Sequence, residues 1–164
     1  MDHIDVGLIG LGKHGKRYLN HILKEDVYGI NVKAVSKMSS FKEKLGHGIR
    51  THMDDNDAVF GDDLIDAVLI LTPTGTHREL AIEAMENGKH VLVEKPLASS
   101  VSDCKDMIDA AQRNGVKLMV AQTLRYNPTV IRMKEIWKNL DDVERISMEQ
   151  HLEPPDRDWL YDPD

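Results

Sequence analysis

The segment VGLIGLGKHGKRYL, residues 6–19, decides the fold of this 164-residue chain. An apolar run typical of a buried strand is followed at once by Gly10, Gly12 and Gly15, and then by a stretch with helical periodicity. Glycine weakens both strands and helices, so three glycines at this spacing need a structural reason. A tight strand-to-helix turn whose backbone comes close to a diphosphate supplies that reason. The segment therefore predicts a dinucleotide-binding turn.

Each glycine of this turn has its own predicted role. Gly10 permits the tight bend, Gly12 lets the backbone approach a diphosphate, and Gly15 lets the helix and the strand pack closely. The N–H groups at the start of the following helix would face the phosphates. Lys13 and His14 stand beside this point, where they either add positive charge or are ordinary solvated residues. A glycine-rich turn that binds nothing is the alternative to this interpretation.

The rest of the chain alternates short apolar strands with amphipathic helices. Residues 67–71 are all apolar, as expected for a parallel strand that is covered on both faces. The alternation predicts an α/β fold: a doubly wound parallel sheet of the Rossmann type with right-handed crossovers. The predicted strands are 4–9, 32–35, 49–53, 67–71, 90–93 and 117–121, and the predicted helices are 16–24, 40–45, 55–60, 76–86, 101–114 and 128–140.

Composition excludes several classes of function. The net charge of −7 argues against a broad nucleic-acid surface, and no apolar run is long enough to span a membrane. No signal peptide is visible at the start. The single cysteine, Cys104, fits a reducing compartment, so we expect a cytoplasmic protein. The eight histidines show no metal-ligand spacing, so we expect no metal site.

The end of the second predicted strand bears on the choice of cofactor. NAD sites of this kind usually carry an acid there, which accepts hydrogen bonds from the ribose hydroxyls. This chain has Ser36 and Lys37 instead, which would suit the 2′-phosphate of NADP. The sequence therefore favours NADP. The alternative is that Lys37 is a plain surface lysine and that NAD binds without a ribose carboxylate.

Polar residues also follow the fourth, fifth and sixth predicted strands. Because the carboxyl ends of parallel strands meet at one edge of the sheet, these residues would line one cleft. Taken alone, Lys95 is either an ordinary lysine or a group that exchanges a proton with a reacting oxygen. The bond between Lys95 and Pro96 is a candidate for the cis form. The residues concerned are Thr72, Pro73, Thr74, His77, Glu94, Lys95, Gln122 and Arg125.

Four segments, in order and at the family spacing, resemble the N-terminal half of the Gfo/Idh/MocA (glucose–fructose oxidoreductase / inositol 2-dehydrogenase) family. They are GLGKHG (10–15), DAVLILTPTGTH (66–77), ENGKHVLVEKPLA (86–98) and LRYNP (124–128), and the resemblance covers about residues 5–127. It implies an NAD(P)-dependent oxidoreductase acting on a sugar, a polyol or a related carbonyl compound.

The resemblance also implies roles for single residues. Lys95 would be the active-site lysine, and Glu94 would help to hold the nicotinamide ribose. Thr72, Pro73, Thr74 and His77 would line the cofactor cleft, with Gln122 and Arg125 near the nicotinamide end. The complete predicted cofactor set is Gly10, Leu11, Gly12, Lys13, His14, Gly15, Ser36, Lys37, Leu71, Thr72, Pro73, Thr74, His77, Glu94, Lys95, Gln122 and Arg125.

The chain departs from the family pattern in two places. Thr74 stands where members often have asparagine. Threonine can still donate a hydrogen bond, so we expect the cofactor site to be retained. Members also continue into a second domain that carries the substrate pocket, and we expect this chain to lack that domain. We therefore expect a dinucleotide-binding domain at 1–127, followed at 128–164 by a linker helix, the first strand of the missing domain and an acidic tail.

That predicted strand, residues 145–152, has an apolar face and no partner, so it predicts a homodimer. Two further functions stay open beside the oxidoreductase. One is a non-catalytic module that senses or carries NADP(H). The other, more distant, is a redox-responsive DNA-binding regulator, for which no basic segment is present.

Overall fold

The structure is a computed structural model that describes residues 3–38, 45, 48–141, 145, 147 and 149. Within these residues, six parallel strands form one sheet in the order β3-β2-β1-β4-β5-β6. The strands are β1 (Ile4–Ile9), β2 (Ile30–Lys37), β3 (Arg50–Met53), β4 (Ala67–Ile70), β5 (His90–Val93) and β6 (Leu118–Val120). The helices are α1 (Lys13–Leu23), α2 (Asp57–Phe60), α3 (His77–Glu86), α4 (Val101–Asn114) and α5 (Pro128–Trp137).

The central strands are buried on both faces, as their continuous apolar sequences require. In β4, Val68 and Ile70 pack into one hydrophobic cluster together with residues of α3 and α4. Leu69 and the following Leu71 belong to a second cluster that contains residues of α1. Because successive strand residues point to opposite faces, the two clusters lie on the two sides of the sheet. The predicted doubly wound fold is confirmed.

Several element boundaries differ from the predicted ones. Helix α1 begins at Lys13, three residues earlier than the sequence suggested, because the backbone turns helical directly after Gly12. Strand β2 extends to Lys37, since β3 pairs with it as far as its end. A short 3₁₀ turn, Thr74–Thr76, precedes α3. The predicted helix at 40–45, apart from residue 45, and most of the predicted strand at 145–152 lie outside the described residues.

The chain divides into two compact units, Met1–Gln122 and Thr123–Asp164. The first contains the sheet. In the second, a 3₁₀ turn, Thr123–Tyr126, leads into α5, whose start is capped by Asn127 Oδ1 accepting from the N–H of Thr129 at 2.9 Å. Pro128 opens the helix, where its missing N–H costs nothing. None of the helices in the described part of the chain is long and apolar enough to cross a membrane.

Candidate cofactor-binding site

The turn between β1 and α1 is built from backbone atoms that come unusually close. Gly10 has a φ of 93°, a backbone conformation that residues with a side chain rarely adopt. A Cβ at this position would also lie 2.9 Å from the carbonyl oxygen of Leu71. A Cβ on Gly15 would lie only 2.3 Å from the carbonyl oxygen of Gly10. The two glycines therefore have the packing roles that the sequence predicts.

Gly12 differs from its two neighbours because nothing lies within 4 Å of the position that its Cβ would take. It is the N-cap of α1, in an extended conformation, and no side chain caps the helix there. The first N–H groups of a helix have no partners within the helix. The open space beside Gly12 and the uncapped start of α1 together form a cradle suited to a diphosphate.

The leucines of the predicted set have a different position. Leu11 and Leu71 are both buried members of the hydrophobic cluster that contains residues of α1. Their side chains are part of the core, so only their backbone atoms are available at the edge of the sheet. Lys13 and His14, by contrast, are exposed residues of the first turn of α1.

A pocket of about 240 Å³ lies beside the glycine turn, at the carboxyl ends of β1, β2, β3 and β4. It brings together five residues that the sequence predicted and adds seven that it missed. A signal for one of them was present, because Asp54 directly follows a predicted strand of the same sheet. The predicted members are Gly10, Ser36, Lys37, Thr72 and Pro73, and the others are Ile9, Met38, Asp54, Asn56, Thr76, Glu79 and Leu80.

Ser36 does not offer its hydroxyl in the way that the sequence suggested. The residue is fully buried, and its Oγ donates to Asn56 Oδ1 at 2.7 Å. The hydrogen of this hydroxyl already has an acceptor at the start of α2, which argues against the prediction that the hydroxyl binds a phosphate. The Ser36 carbonyl in turn accepts from the N–H of Gly10 at 2.8 Å, which ties the glycine turn to β2.

Asp54 stands at the same rim as Lys37. Its N–H donates to the carbonyl oxygen of Lys37 at 2.9 Å, and its φ of 51° turns the chain sharply after β3. Among the residues that the structure describes, the pocket is therefore bordered by the ammonium group of Lys37 and by the carboxylates of Asp54 and Glu79.

The loop after β4 is held by hydroxyl groups and by a buried histidine. Thr76 Oγ1 lies 2.8 Å from both Thr72 Oγ1 and the carbonyl oxygen of Pro73. His77 is 1% exposed, with Nε2 at 2.9 Å from the Thr72 carbonyl oxygen and Nδ1 at 2.9 Å from that of Pro96. His77 was predicted to line the cleft. Its ring instead joins the loops after β4 and β5, because both nitrogens face backbone carbonyls.

Glu94 is the centre of a polar cluster at the end of β5. Its Oε1 accepts from the Tyr18 hydroxyl at 2.9 Å and lies 3.2 Å from His14 Nε2. Its Oε2 accepts from the N–H of Lys95 at 3.0 Å. Burial is the main cause, and the hydrogen bond to Glu94 the second, of a pKa of Tyr18 that is raised to about 12, so the phenol keeps its proton.

The remaining predicted residues take separate positions. Lys95 is exposed and is followed by a cis peptide bond to Pro96, as the sequence suggested. Thr74 opens the 3₁₀ turn before α3 and does not line the pocket. Gln122 is exposed and follows β6 in the first unit, whereas Arg125 belongs to the second unit. No cluster of three potential metal ligands occurs among residues that the structure describes.

Comparison with known proteins identifies the family of the domain that contains this site. A family model described as "Oxidoreductase family, NAD-binding Rossmann fold" (GFO_IDH_MocA) matches residues 4–122. One relative, the 4-carboxy-2-hydroxymuconate-6-semialdehyde dehydrogenase of a Sphingobium species, is 34% identical over 129 residues, which are 76% of this chain and 40% of that protein. The chain spans 30 to 40% of the length of the curated relatives that it matches.

Solved structures show the same fold. The WlbA dehydrogenase of Bordetella pertussis, in complex with NADH and UDP-GlcNAcA, matches with a TM-score of 0.76 and 27% identity over 84% of this chain and 40% of that one. The scyllo-inositol dehydrogenase of Lactobacillus casei, with bound NAD(H) and scyllo-inositol, matches with a TM-score of 0.76 at 23% identity, over 84% of this chain and 42% of that one.

Proposed function

Because the chain belongs to the Gfo/Idh/MocA oxidoreductase family, we propose that it is the cofactor-binding half of a nicotinamide-dependent oxidoreductase. The observation that carries this proposal is the glycine turn. Gly10 and Gly15 make contacts that leave no room for a Cβ, whereas the space beside Gly12 is open. A turn that served packing alone would have no need for the open, uncapped start of α1.

When bound, the nicotinamide would supply the hydride-transfer chemistry. The chain's own residues would bind and orient it: the N–H groups at the start of α1 take the diphosphate, and Glu94 accepts from the nicotinamide-side ribose. Lys95, exposed just beyond Glu94, would exchange a proton with the reacting oxygen or donate a hydrogen bond to it. Gln122 and Arg125 are proposed, by resemblance, to lie near the nicotinamide end.

The choice between NAD and NADP is the finer question. The sequence favours NADP because Lys37 ends β2 where NAD sites usually have an acid. The pocket gives an opposing argument, since Asp54 and Glu79 border it together with Lys37, and the Ser36 hydroxyl is engaged by Asn56. Two carboxylates would repel a 2′-phosphate, and one of them can accept from a ribose hydroxyl. We therefore propose NAD as the preferred cofactor, against the sequence expectation.

The proposed substrate is a sugar, a polyol or a related carbonyl compound. This class is supported by the family and by the names of the similar proteins, which include an inositol dehydrogenase and an enzyme complexed with a nucleotide sugar. The pocket for such a substrate would come from a further domain. A non-catalytic NADP(H) module is not favoured, because the family is one of oxidoreductases.

Two parts of the proposal rest on the sequence alone. We propose a homodimer that pairs through residues 145–152, most of which lie outside the described part of the chain. We also propose a cytoplasmic location, which the single cysteine supports.

The test is a titration with NADH, followed through the fluorescence of the nicotinamide, of both the wild-type chain and the variant Gly12→Val. The backbone at Gly12, with φ of −70° and ψ of −166°, is one that valine adopts, and no protein atom obstructs its Cβ. The valine should fill the diphosphate cradle and weaken NADH binding at least about a hundredfold. Unaltered binding by a variant whose unfolding temperature is also unaltered would contradict the proposed function.

A further inference from the structure

We propose that Tyr18, on the second turn of α1, is a positioning residue that holds the Glu94 carboxylate for the nicotinamide-side ribose. The inference rests on the proposed function and deepens it by naming a residue outside the glycine motif. Tyr18 and Glu94 are 76 positions apart in the chain and meet through one hydrogen bond of 2.9 Å. That bond connects the helix that starts at the diphosphate cradle to the loop that carries Lys95.

The partners of Glu94 leave its carboxylate little freedom. Each carboxylate oxygen accepts about two hydrogen bonds. Oε1 has two neighbours, the Tyr18 hydroxyl at 2.9 Å and His14 Nε2 at 3.2 Å, whereas Oε2 has the N–H of Lys95 at 3.0 Å. Oε1 therefore has two polar neighbours within 3.2 Å, whereas Oε2 has one and keeps an acceptor position. A ribose hydroxyl is a donor that this remaining position suits.

Tyr18 is the partner best suited to fix this arrangement. A phenol hydroxyl can donate to an ionised carboxylate, and its raised pKa, about 12, keeps the hydrogen in place throughout the neutral range. The Tyr18 ring is half-buried, so its position is set by packing, whereas the His14 side chain is 53% exposed. Removing the hydroxyl would leave Oε1 with one neighbour and let the carboxylate rotate away from the cleft.

This role predicts an effect on one half of the dinucleotide only. ADP carries the adenosine and the diphosphate but no second ribose, whereas ADP-ribose also carries the ribose that Glu94 is proposed to accept from. Weakening of ADP-ribose with no change for ADP would therefore identify a role at that ribose. A general distortion of α1 would weaken both ligands, because both depend on the start of the same helix.

The experiment compares Tyr18→Phe with the wild-type chain by calorimetric titration with ADP and with ADP-ribose. The phenylalanine keeps the ring and removes the hydroxyl. We expect the dissociation constant of ADP-ribose to rise about fivefold to twentyfold, as for the loss of a hydrogen bond to a charged group, and that of ADP to change less than about twofold. The matched control is Tyr28→Phe, because Tyr28 is 90% exposed and its variant should bind both ligands as the wild type does.

A second variant, Glu94→Gln, tests whether Tyr18 acts through Glu94. Adding Tyr18→Phe to it should cause no further loss of ADP-ribose affinity, since the group being positioned has already been changed. Equal weakening of both ligands by Tyr18→Phe, or an unchanged affinity for ADP-ribose, would overturn the inference. A wild-type chain that binds neither ligand would overturn the proposed function itself, and this outcome is distinct from the other two.

Discussion

The glycine turn and the part of the neighbouring pocket that lies at the ends of β2 and β3 hold their shapes by different means. At the turn, backbone meets backbone: a Cβ on Gly15 would lie 2.3 Å from the carbonyl oxygen of Gly10. In the pocket, side chains from separate elements meet, as Ser36 of β2 does with Asn56 before α2. A backbone contact tolerates no added atom, whereas a side-chain contact can be replaced in part. We therefore expect all-or-none effects at the turn and graded effects around the pocket.

The polar cluster around Glu94 lies between these extremes. Its three contacts come from the first turn of α1, from Tyr18 on the second turn and from the backbone of Lys95. Backbone fixes one oxygen of the carboxylate, and side chains fix the other. The nicotinamide-side ribose would thus be recognised by a carboxylate with one oxygen held by the backbone and the other held by side chains.

The largest effect should follow the change Gly15→Ala. The new methyl group meets backbone that cannot move aside without opening the turn, so we expect the free energy of unfolding to fall by about 3 kcal/mol or more. Urea unfolding measures this loss. Gly12→Ala is the matched control, because its methyl group meets no atom within 4 Å and should cost at most about 1 kcal/mol. Equal losses for the two variants would break the contrast between a packed glycine and an open one.

The sequence predicted contacts between residues that are close together in the chain, but not contacts between distant residues. The turn lies within six consecutive residues, so the roles of Gly10 and Gly15 could be predicted from their spacing between a strand and a helix. The parallel sheet and the common edge at its carboxyl ends also followed from the alternation of strands and helices, whereas the order of the strands came only from the structure. The Ser36–Asn56 bond joins residues 20 positions apart, and nothing in either local sequence indicates it.

His77 shows the same limit of prediction from local sequence. The sequence placed it correctly at the edge of the sheet, but not its orientation. One of its two ring contacts is with Pro96, 19 residues later, whose carbonyl oxygen lies 2.9 Å from Nδ1. Asp54 was missed for a simpler reason, because the usual ribose-binding acid lies at the end of the second strand and not of the third. In a parallel sheet, the end of the neighbouring β3 reaches the same rim.

An intermediate effect should follow the change His77→Leu. Leucine cannot donate a hydrogen bond, so the part-buried contacts of the ring with the carbonyl oxygens of Thr72 and Pro96 are both lost. We expect the free energy of unfolding to fall by about 1–3 kcal/mol. His21→Leu is the control, since its exposed contact with Asp26 should be worth less than about 1 kcal/mol. A loss at His77 no greater than at His21 would show that the two loops do not depend on the bridge.

The smallest change in stability, and the most selective change in binding, should follow Asp54→Ser. Asp54 is exposed, but its φ of 51° is one that serine adopts less readily than aspartate, so the replacement should lower the free energy of unfolding by at most about 1 kcal/mol. Removing one of the two carboxylates beside Lys37 should raise the affinity for NADPH relative to NADH by about tenfold, because a 2′-phosphate then meets less repulsion. Fluorescence titration with both reduced cofactors measures the ratio.

Asp63→Ser is the matched control for this last change, since Asp63 is also exposed and does not line the pocket. It removes the same charge from the chain, so any effect of net charge alone would appear in both variants. If the two variants raise the affinity ratio equally, the preference comes from the overall field of the protein. If only Asp54→Ser raises it, the carboxylate after β3 takes the place of the acid that β2 lacks. Cofactor choice would then be set by a side chain from the neighbouring strand, in the region where graded effects are expected.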